Sequence, residues 1–150
     1  MTLKLILGAV VAALSLAPAV AQEALPTGVG KQTVERVCSV CHDLDVATGT
    51  RRVRAEWRAM VNAMVNRGAI ATDEEIAAII EYLSTSVGMV NVNKAAAGEI
   101  EAVLAIASKE ADEIVRHRAA NGEFKDLDSL KKVPGVDMKV LEERKDRITF

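Results

Sequence analysis

Apolar residues recur at three- and four-residue spacing through most of the chain, which is the period of an amphipathic helix. The clearest apolar stripe is in residues 53–66, where Trp57 and Val61 share one face. Another stripe follows Thr72 and Glu75, whose spacing is that of a capping box at the start of a helix. No segment shows a convincing alternation of period two, so the pattern predicts an all-α protein without strands.

The predicted helices span residues 31–40, 53–66, 72–83, 95–104, 109–118, 127–132 and 138–147. Gly68 and Gly88 follow the second and third of these helices, and glycine commonly ends a helix because it tolerates a left-handed backbone. The polar segment Asn91–Asn93 then interrupts the pattern before it restarts. We therefore expect two all-helical units, residues 22–89 and residues 90–150.

The start of the chain has the pattern of a targeting segment. Lys4 supplies a positive charge, residues 5–16 form an apolar run, and Ala19-Val20-Ala21 has the small-residue pattern of a cleavage site. This predicts a secretory signal peptide over residues 1–21 and an exported, periplasmic protein that begins at Gln22. The run is shorter than the roughly 20 residues of a spanning helix, so we expect no integral membrane segment after cleavage; an uncleaved anchor is the alternative.

Composition and charge narrow the function. Half of the 150 residues are apolar and the net charge is -2, as expected for a soluble globular protein. Residues 22–89 carry seven basic and nine acidic side chains, and residues 90–150 carry eleven and twelve. Neither unit is basic, which disfavours duplex DNA binding because that depends on neutralising phosphates. Aromatic residues make up only 3%, so a bulky cofactor would supply core volume that Phe and Trp usually provide.

The most specific motif is Cys38-Ser39-Val40-Cys41-His42, the C-x-x-C-H arrangement of covalent c-type haem attachment. The two-residue gap lets both thiols reach the two vinyl groups of one porphyrin, and His42 is placed to ligate the iron. A thioredoxin-like dithiol is the alternative, but it accompanies alternating strands and helices. The sequence therefore predicts one haem c, with Cys38 and Cys41 as thioether attachments and His42 as an axial ligand.

The residues alone do not decide which side chain is the second axial ligand of the iron. Methionine suits electron transfer, whereas an open position suits ligand binding or catalysis, as in a small peroxidase. The candidate methionines are Met60, Met64, Met89 and Met138. Met60 and Met64 lie one turn apart beside Trp57, where methionine is usually core, and His117 is an alternative ligand from the second unit. Because no base, nucleophile or second metal cluster accompanies the motif, we expect an electron carrier and not an enzyme.

A second motif in the first unit is a W-x3-V-x2-M-x3-G string, formed by Trp57, Val61, Met64 and Gly68. Together with the haem motif, this string resembles a short class of monohaem cytochrome c domains, and the resemblance covers residues 28–89. Such domains are electron-accepting partners or domains of periplasmic sulfite dehydrogenases and quinohaemoprotein amine dehydrogenases. The resemblance implies a small class I-like cytochrome c fold, Met64 as the distal ligand with Met60 as the alternative, and a redox partner such as a periplasmic dehydrogenase.

The second unit carries its own set of motifs, which are Val90–Ala95, Ile114–Arg118, Asn121–Phe124, Leu127–Leu130 and Val133–Val136. They resemble the tandem helix-hairpin-helix domain of competence-type DNA receptors, over residues 90–150. An internal repeat agrees with this, because Leu104–Ala107 and Lys132–Asp137 occupy equivalent hairpins about 30 residues apart. The resemblance implies a compact helical domain with two hairpins.

The hairpins depart from the DNA-binding pattern of two glycines around an apolar residue, which lets the backbone N–H groups approach a phosphate. The first hairpin reads Ala105-Ile106-Ala107, and the second keeps Gly135 but has Asp137 in place of the second glycine. A carboxylate there would repel phosphate. We therefore expect the second unit to dock a redox partner; the alternative is a haem-tagged DNA-binding protein.

Four arginines, Arg51, Arg52, Arg54 and Arg58, lie between the haem motif and the candidate methionines. The simplest interpretation is a solvated face. The functional alternative is that they contact a haem propionate or steer an acidic partner.

Overall fold

The computed structural model describes residues 25–150, apart from the side chain of Ala47, so the predicted signal peptide over residues 1–21 lies outside the described residues. The described chain is mostly helical, as the predicted all-α class requires. The helices are α1 (Lys31–Cys38), α2 (Leu44–Thr48), α3 (Arg54–Asn66), α4 (Asp73–Tyr82), α5 (Ala97–Leu104), α6 (Ser108–Asn121), α7 (Leu127–Leu130) and α8 (Met138–Glu143). A π-helical turn, Leu83–Val87, continues α4, and a 3₁₀ turn, Lys145–Arg147, follows α8.

Helix α4 begins as its sequence predicts. The Glu75 N–H donates to the Thr72 hydroxyl over 3.3 Å, and the Thr72 N–H donates to the Glu75 carboxylate over 2.9 Å. This confirms the capping box. At the other end, the buried Ser84 hydroxyl donates to the Ile80 carbonyl over 2.6 Å, where the backbone widens to the π-helical turn.

The first core lies where α4 packs on both α1 and α3. Its buried residues are Leu25, Val34, Trp57, Val61, Ile79, Ile80, Tyr82, Leu83 and Val87. Gly30, at φ +97°, lets α1 approach α4 closely, because a Cβ there would lie 2.9 Å from the Ala78 carbonyl oxygen and from the Tyr82 Cβ. The Tyr82 hydroxyl also donates to the Pro26 carbonyl over 2.6 Å, so the start of the described chain is fixed to α4.

The second core is larger and is formed by the two hairpins and the segment that leads into them. Its buried residues are Val90, Val92, Ala95, Ile100, Val103, Leu104, Ile106, Ala111, Ile114, Phe124, Leu130, Val133, Val136, Leu141 and Ile148. The Asn93 side chain bonds both the N–H and the carbonyl of Phe124, each over 2.8 Å. The guanidinium of Arg118 donates to the carbonyls of Val92 and Ala95. These bonds attach residues 90–96 to α6 and the loop after it.

Two short strands correct the prediction of a strand-free chain. Strand β1 (Val90–Asn91) pairs in parallel with β2 (Ile148–Thr149), so that the start and the end of the second unit meet. Each strand has two residues, which is too short for a period-two pattern to register in the sequence.

Other differences also involve short elements. Helix α2 was not predicted, because five residues are too few to show helical periodicity. Helix α1 ends at Cys38 rather than residue 40, and the helix predicted over residues 138–147 ends at Glu143. Arg144, at φ -110°, breaks the last helix, and the 3₁₀ turn then carries the chain into β2.

Candidate functional site

The two cysteines of the C-x-x-C-H motif lie at the end of α1 and in the turn that follows. Cys38 is half-buried against the first core, Cys41 is exposed, and both thiols are free. Burial raises the pKa of the Cys38 thiol. Redox-active dithiols depend on a thiol with a lowered pKa, so the environment of Cys38 weighs against the dithiol alternative.

His42 has a defined hydrogen-bonding state. Its Nδ1 lies 2.9 Å from the carbonyl oxygen of Asp43. Because a carbonyl only accepts, Nδ1 is the donor in this contact, and in the neutral ring the lone pair is then on Nε2. Histidine ligands in metal sites are commonly oriented by such a bond from the second ring nitrogen.

Trp57 carries a buried donor without an acceptor. The side chain is fully buried in α3, and its Nε1–H has no hydrogen-bond partner among the described residues. Leaving such a donor unsatisfied costs about 1–3 kcal/mol. The guanidinium carbon of Arg52 lies 5.3 Å from the centroid of the same ring, in a cation–π contact. An anionic oxygen at this place would satisfy the Nε1–H and lie close to a positive charge.

The two candidate methionines of α3 have different surroundings. Met60 packs against the first core. Met64, one turn later, is partly buried like Met60 but is not among the side chains packed on that core. Packing in the first core therefore explains a methionine at position 60. The Met64 thioether has no packing role in the described core.

Large apolar side chains are exposed on either side of α3. Val40, inside the C-x-x-C-H motif, is 78% exposed; Val46, in α2, and Ile70, just after α3, are 71% and 91% exposed. Val40 and Val46 precede α3 in the chain and Ile70 follows it; scattered exposed apolar residues of this kind are ordinary on a protein surface.

The four arginines of the candidate site do not form one solvated face. Arg51 pairs with Asp146 of the second unit over 2.9 Å, and Arg54 pairs with Glu81 of α4 over 2.5 Å. Arg52 lies over Trp57, and Arg58 is exposed without an ion pair among the described residues. Arg52 is therefore the arginine that remains next to the unsatisfied Trp57 donor.

The first hairpin of the second unit is strained. Ala105 ends α5 at φ +52° and ψ +45°, and it is the only non-glycine residue with positive φ in the described part of the chain. Gly135 adopts φ +79° at the equivalent place in the second hairpin. Both hairpins therefore keep the left-handed turn that the double-glycine pattern supplies, although Ala105 replaces its glycine.

Replacing Ala105 with glycine should stabilise the protein by about 0.5–1 kcal/mol, because the relief of left-handed strain exceeds the added entropy of the unfolded chain. Ala119→Gly, on the exposed part of α6, is the control and should destabilise by about 1 kcal/mol. Urea unfolding followed by circular dichroism measures both. A lower midpoint for Ala105→Gly than for the native sequence would show that the backbone there is not strained.

One carboxylate joins the two hairpins. Glu110, in the first turn of α6, accepts the N–H of Ala107 with Oε2 over 2.8 Å and the N–H of Asp137 with Oε1 over 2.7 Å. Asp137 uses its own carboxylate to cap α8 at Lys139, over 2.8 Å. The backbone N–H groups at the starts of α6 and α8 therefore face carboxylate oxygens of the protein itself, and a phosphate there would meet two negative charges.

Several of these residues were not predicted from the sequence. Glu110 was missed, although its position three residues after Ala107 is that of a capping-box glutamate, a signal that could have identified half of its role. Its bond to Asp137 and the contacts of Arg147 described below join residues far apart in the chain, and no local pattern indicates them.

The comparisons with known proteins identify one part of the chain. Residues 85–149 match the family described as the helix-hairpin-helix motif. No curated protein and no solved structure matches the chain. Within residues 25–150, no helix is long and apolar enough to cross a membrane. The match runs from the π-helical turn to β2 and includes both hairpins, so residues 85–149 form a helix-hairpin-helix domain.

Proposed function

We propose that this protein is an exported c-type cytochrome that carries single electrons in the periplasm, and that its helix-hairpin-helix domain docks a redox partner such as a dehydrogenase. The observation that carries the proposal is the C-x-x-C-H motif itself: both thiols are free, and the Nδ1–H of His42, the residue after Cys41, donates to the Asp43 carbonyl, as the second ring nitrogen of a ligating histidine commonly does. A bound haem would supply the one-electron chemistry. The chain's own task is to hold and orient it.

The residues present suit a haem. Cys38 and Cys41 would hold it through thioether bonds, and His42 and Met64 would ligate its iron. A haem also carries carboxylates, for which the unsatisfied Trp57 Nε1–H and the neighbouring Arg52 are suitable partners. Trp57 and Met60 belong to the apolar core of the same unit, against which Cys38 packs.

A reductive titration of the matured full-length protein tests this function. We expect one electron to be taken up per chain, with a single haem transition that is fully reversible. A protein that takes up two electrons per chain, with loss of two thiols on oxidation, would instead be a dithiol redox protein.

The alternative function is nucleic-acid binding, which the helix-hairpin-helix match favours because many such domains bind DNA through hairpin N–H groups. Here Glu110 occupies the N–H groups of Ala107 and Asp137, and the unit has no excess of positive charge. Both features support protein docking over binding to phosphate.

We accordingly expect no binding when the full-length protein is titrated into labelled duplex DNA at low salt, and none at higher salt. An established helix-hairpin-helix DNA-binding protein, titrated in parallel, is the positive control. Tight binding that weakens steeply with salt would overturn the docking role and restore the DNA alternative.

A further inference from the structure

The C-terminal segment of the helix-hairpin-helix domain is bonded to the end of the π-helical turn. Arg147 is 7% exposed, and its guanidinium donates to the carbonyls of Gly88 over 2.8 Å and Thr85 over 2.7 Å. A cation that caps the carbonyl end of a helix also interacts favourably with the helix dipole. Because both acceptors are backbone carbonyls, Arg147 fixes the path of the chain and not merely the position of another side chain.

A second arginine reaches the same turn from the other direction. Arg51, in the loop before α3, donates to the Val87 carbonyl over 3.1 Å and pairs with Asp146 over 2.9 Å. Burial, together with the charges of Arg144 and Arg51, lowers the pKa of Arg147 to about 10. Arg51 and Arg147 are thus held close to each other by the backbone carbonyls of the π-helical turn and Gly88. Placing two positive charges this close costs free energy unless their hydrogen bonds have good geometry.

The loop before α3 is held by the backbone as well. The Met89 N–H donates to the Arg52 carbonyl over 3.0 Å. A Cβ on Gly88 would lie 2.9 Å from the same carbonyl oxygen, so only glycine allows this approach. The Arg51–Asp146 ion pair and the Met89–Arg52 backbone bond therefore fix the position of Arg52. The guanidinium of Arg52 lies over the ring of Trp57.

We propose that Arg147 is a positioning residue for the first unit: by holding Thr85 and Gly88 it fixes the loop that carries Arg52 to Trp57. The helix-hairpin-helix domain then sets the electrostatic surroundings of the haem carboxylates, in addition to docking a partner. The part of this inference that concerns haem rests on the proposed function. A substitution in the C-terminal segment should then change the reduction potential of the haem.

The test compares Arg147→Ala with Arg144→Ala in the matured full-length protein. Arg144 is the control because it has the same charge in the same segment, and its side chain makes no hydrogen bond or ion pair within residues 25–150. Hydrogen exchange of residues 50–58 and the reduction potential of the haem are the two readouts. For Arg147→Ala we expect exchange in that loop to be about tenfold faster and the potential to shift; Arg144→Ala should change neither.

Exchange in residues 50–58 that stays at the native rate, while exchange in residues 145–149 rises, would overturn the proposal. If Arg147→Ala does not fold, Arg147→Lys keeps the charge but lacks the planar fork that donates to both Thr85 and Gly88, and it should accelerate exchange in the same loop by about twofold; an unchanged rate overturns the proposal equally. The exchange readout does not need haem. A chain that binds no haem but shows the expected exchange therefore fails the proposed function and retains this inference.

Discussion

Replacing both Cys38 and Cys41 with alanine should abolish haem attachment and with it the cooperative unfolding of the first unit. The core of this unit has nine buried residues, against fifteen in the second unit. A core in a unit of this size supplies at most about 3–5 kcal/mol before any cofactor is added. We therefore expect the smaller first unit to depend on a bound cofactor for its stability in a way that the second does not.

The measurement is thermal unfolding followed by circular dichroism and by the fluorescence of Trp57, the only tryptophan in the chain. The helix-hairpin-helix domain should retain its helices in the double variant. Val29→Ala is the control, because Val29 lies in the same unit, precedes α1 in the chain and is 96% exposed. It should attach haem and unfold as the native protein does. Native-like helix content and cooperative melting of the first unit in the double variant would contradict the account.

The second large effect concerns the distal ligand. Met64→Ala should lower the reduction potential of the haem by a considerable part of the ~0.8 V range that axial ligands span. The reason is that a thioether stabilises the reduced iron, and water or an added ligand would take its place. Spectroelectrochemical titration of the matured protein measures the change.

Met60→Ala is the control for that experiment, since Met60 lies one turn away and packs on the first core. Its loss should cost roughly 1–3 kcal/mol of stability and leave the potential near that of the native protein. The opposite result, with a lowered potential in Met60→Ala and an unchanged one in Met64→Ala, would assign the distal position to Met60.

Local patterns predicted the larger elements of this fold well. The stripe in residues 53–66 and the Thr72–Glu75 capping box correspond to α3 and α4 with their starts within one residue. The helix-hairpin-helix prediction for the second unit is confirmed by the family match. These features depend on neighbours in the sequence or on a complete motif, which is why the sequence alone reveals them.

The interactions between distant residues could not be predicted. Arg51 was expected on a solvated face, yet it reaches Asp146, because an arginine side chain bonds whichever acceptors the tertiary fold brings near. Glu110 reaches Asp137 across 27 positions, and Arg147 reaches Thr85 across 62. The candidate haem site divides in the same way: the cysteines and His42 follow from their spacing, whereas the unsatisfied Trp57 donor is apparent only in the folded chain.

Peptide mass analysis shows directly whether a haem is covalently attached to this chain. The full-length protein would be produced in cells that export it and attach c-type haem, and then cleaved after Arg36 and Arg51 to release the peptide that holds Cys38, Cys41 and His42. We expect a peptide heavier by one haem, in which neither thiol reacts with an alkylating agent. A peptide of unmodified mass, with both thiols alkylated or joined to each other as a disulfide, would contradict it.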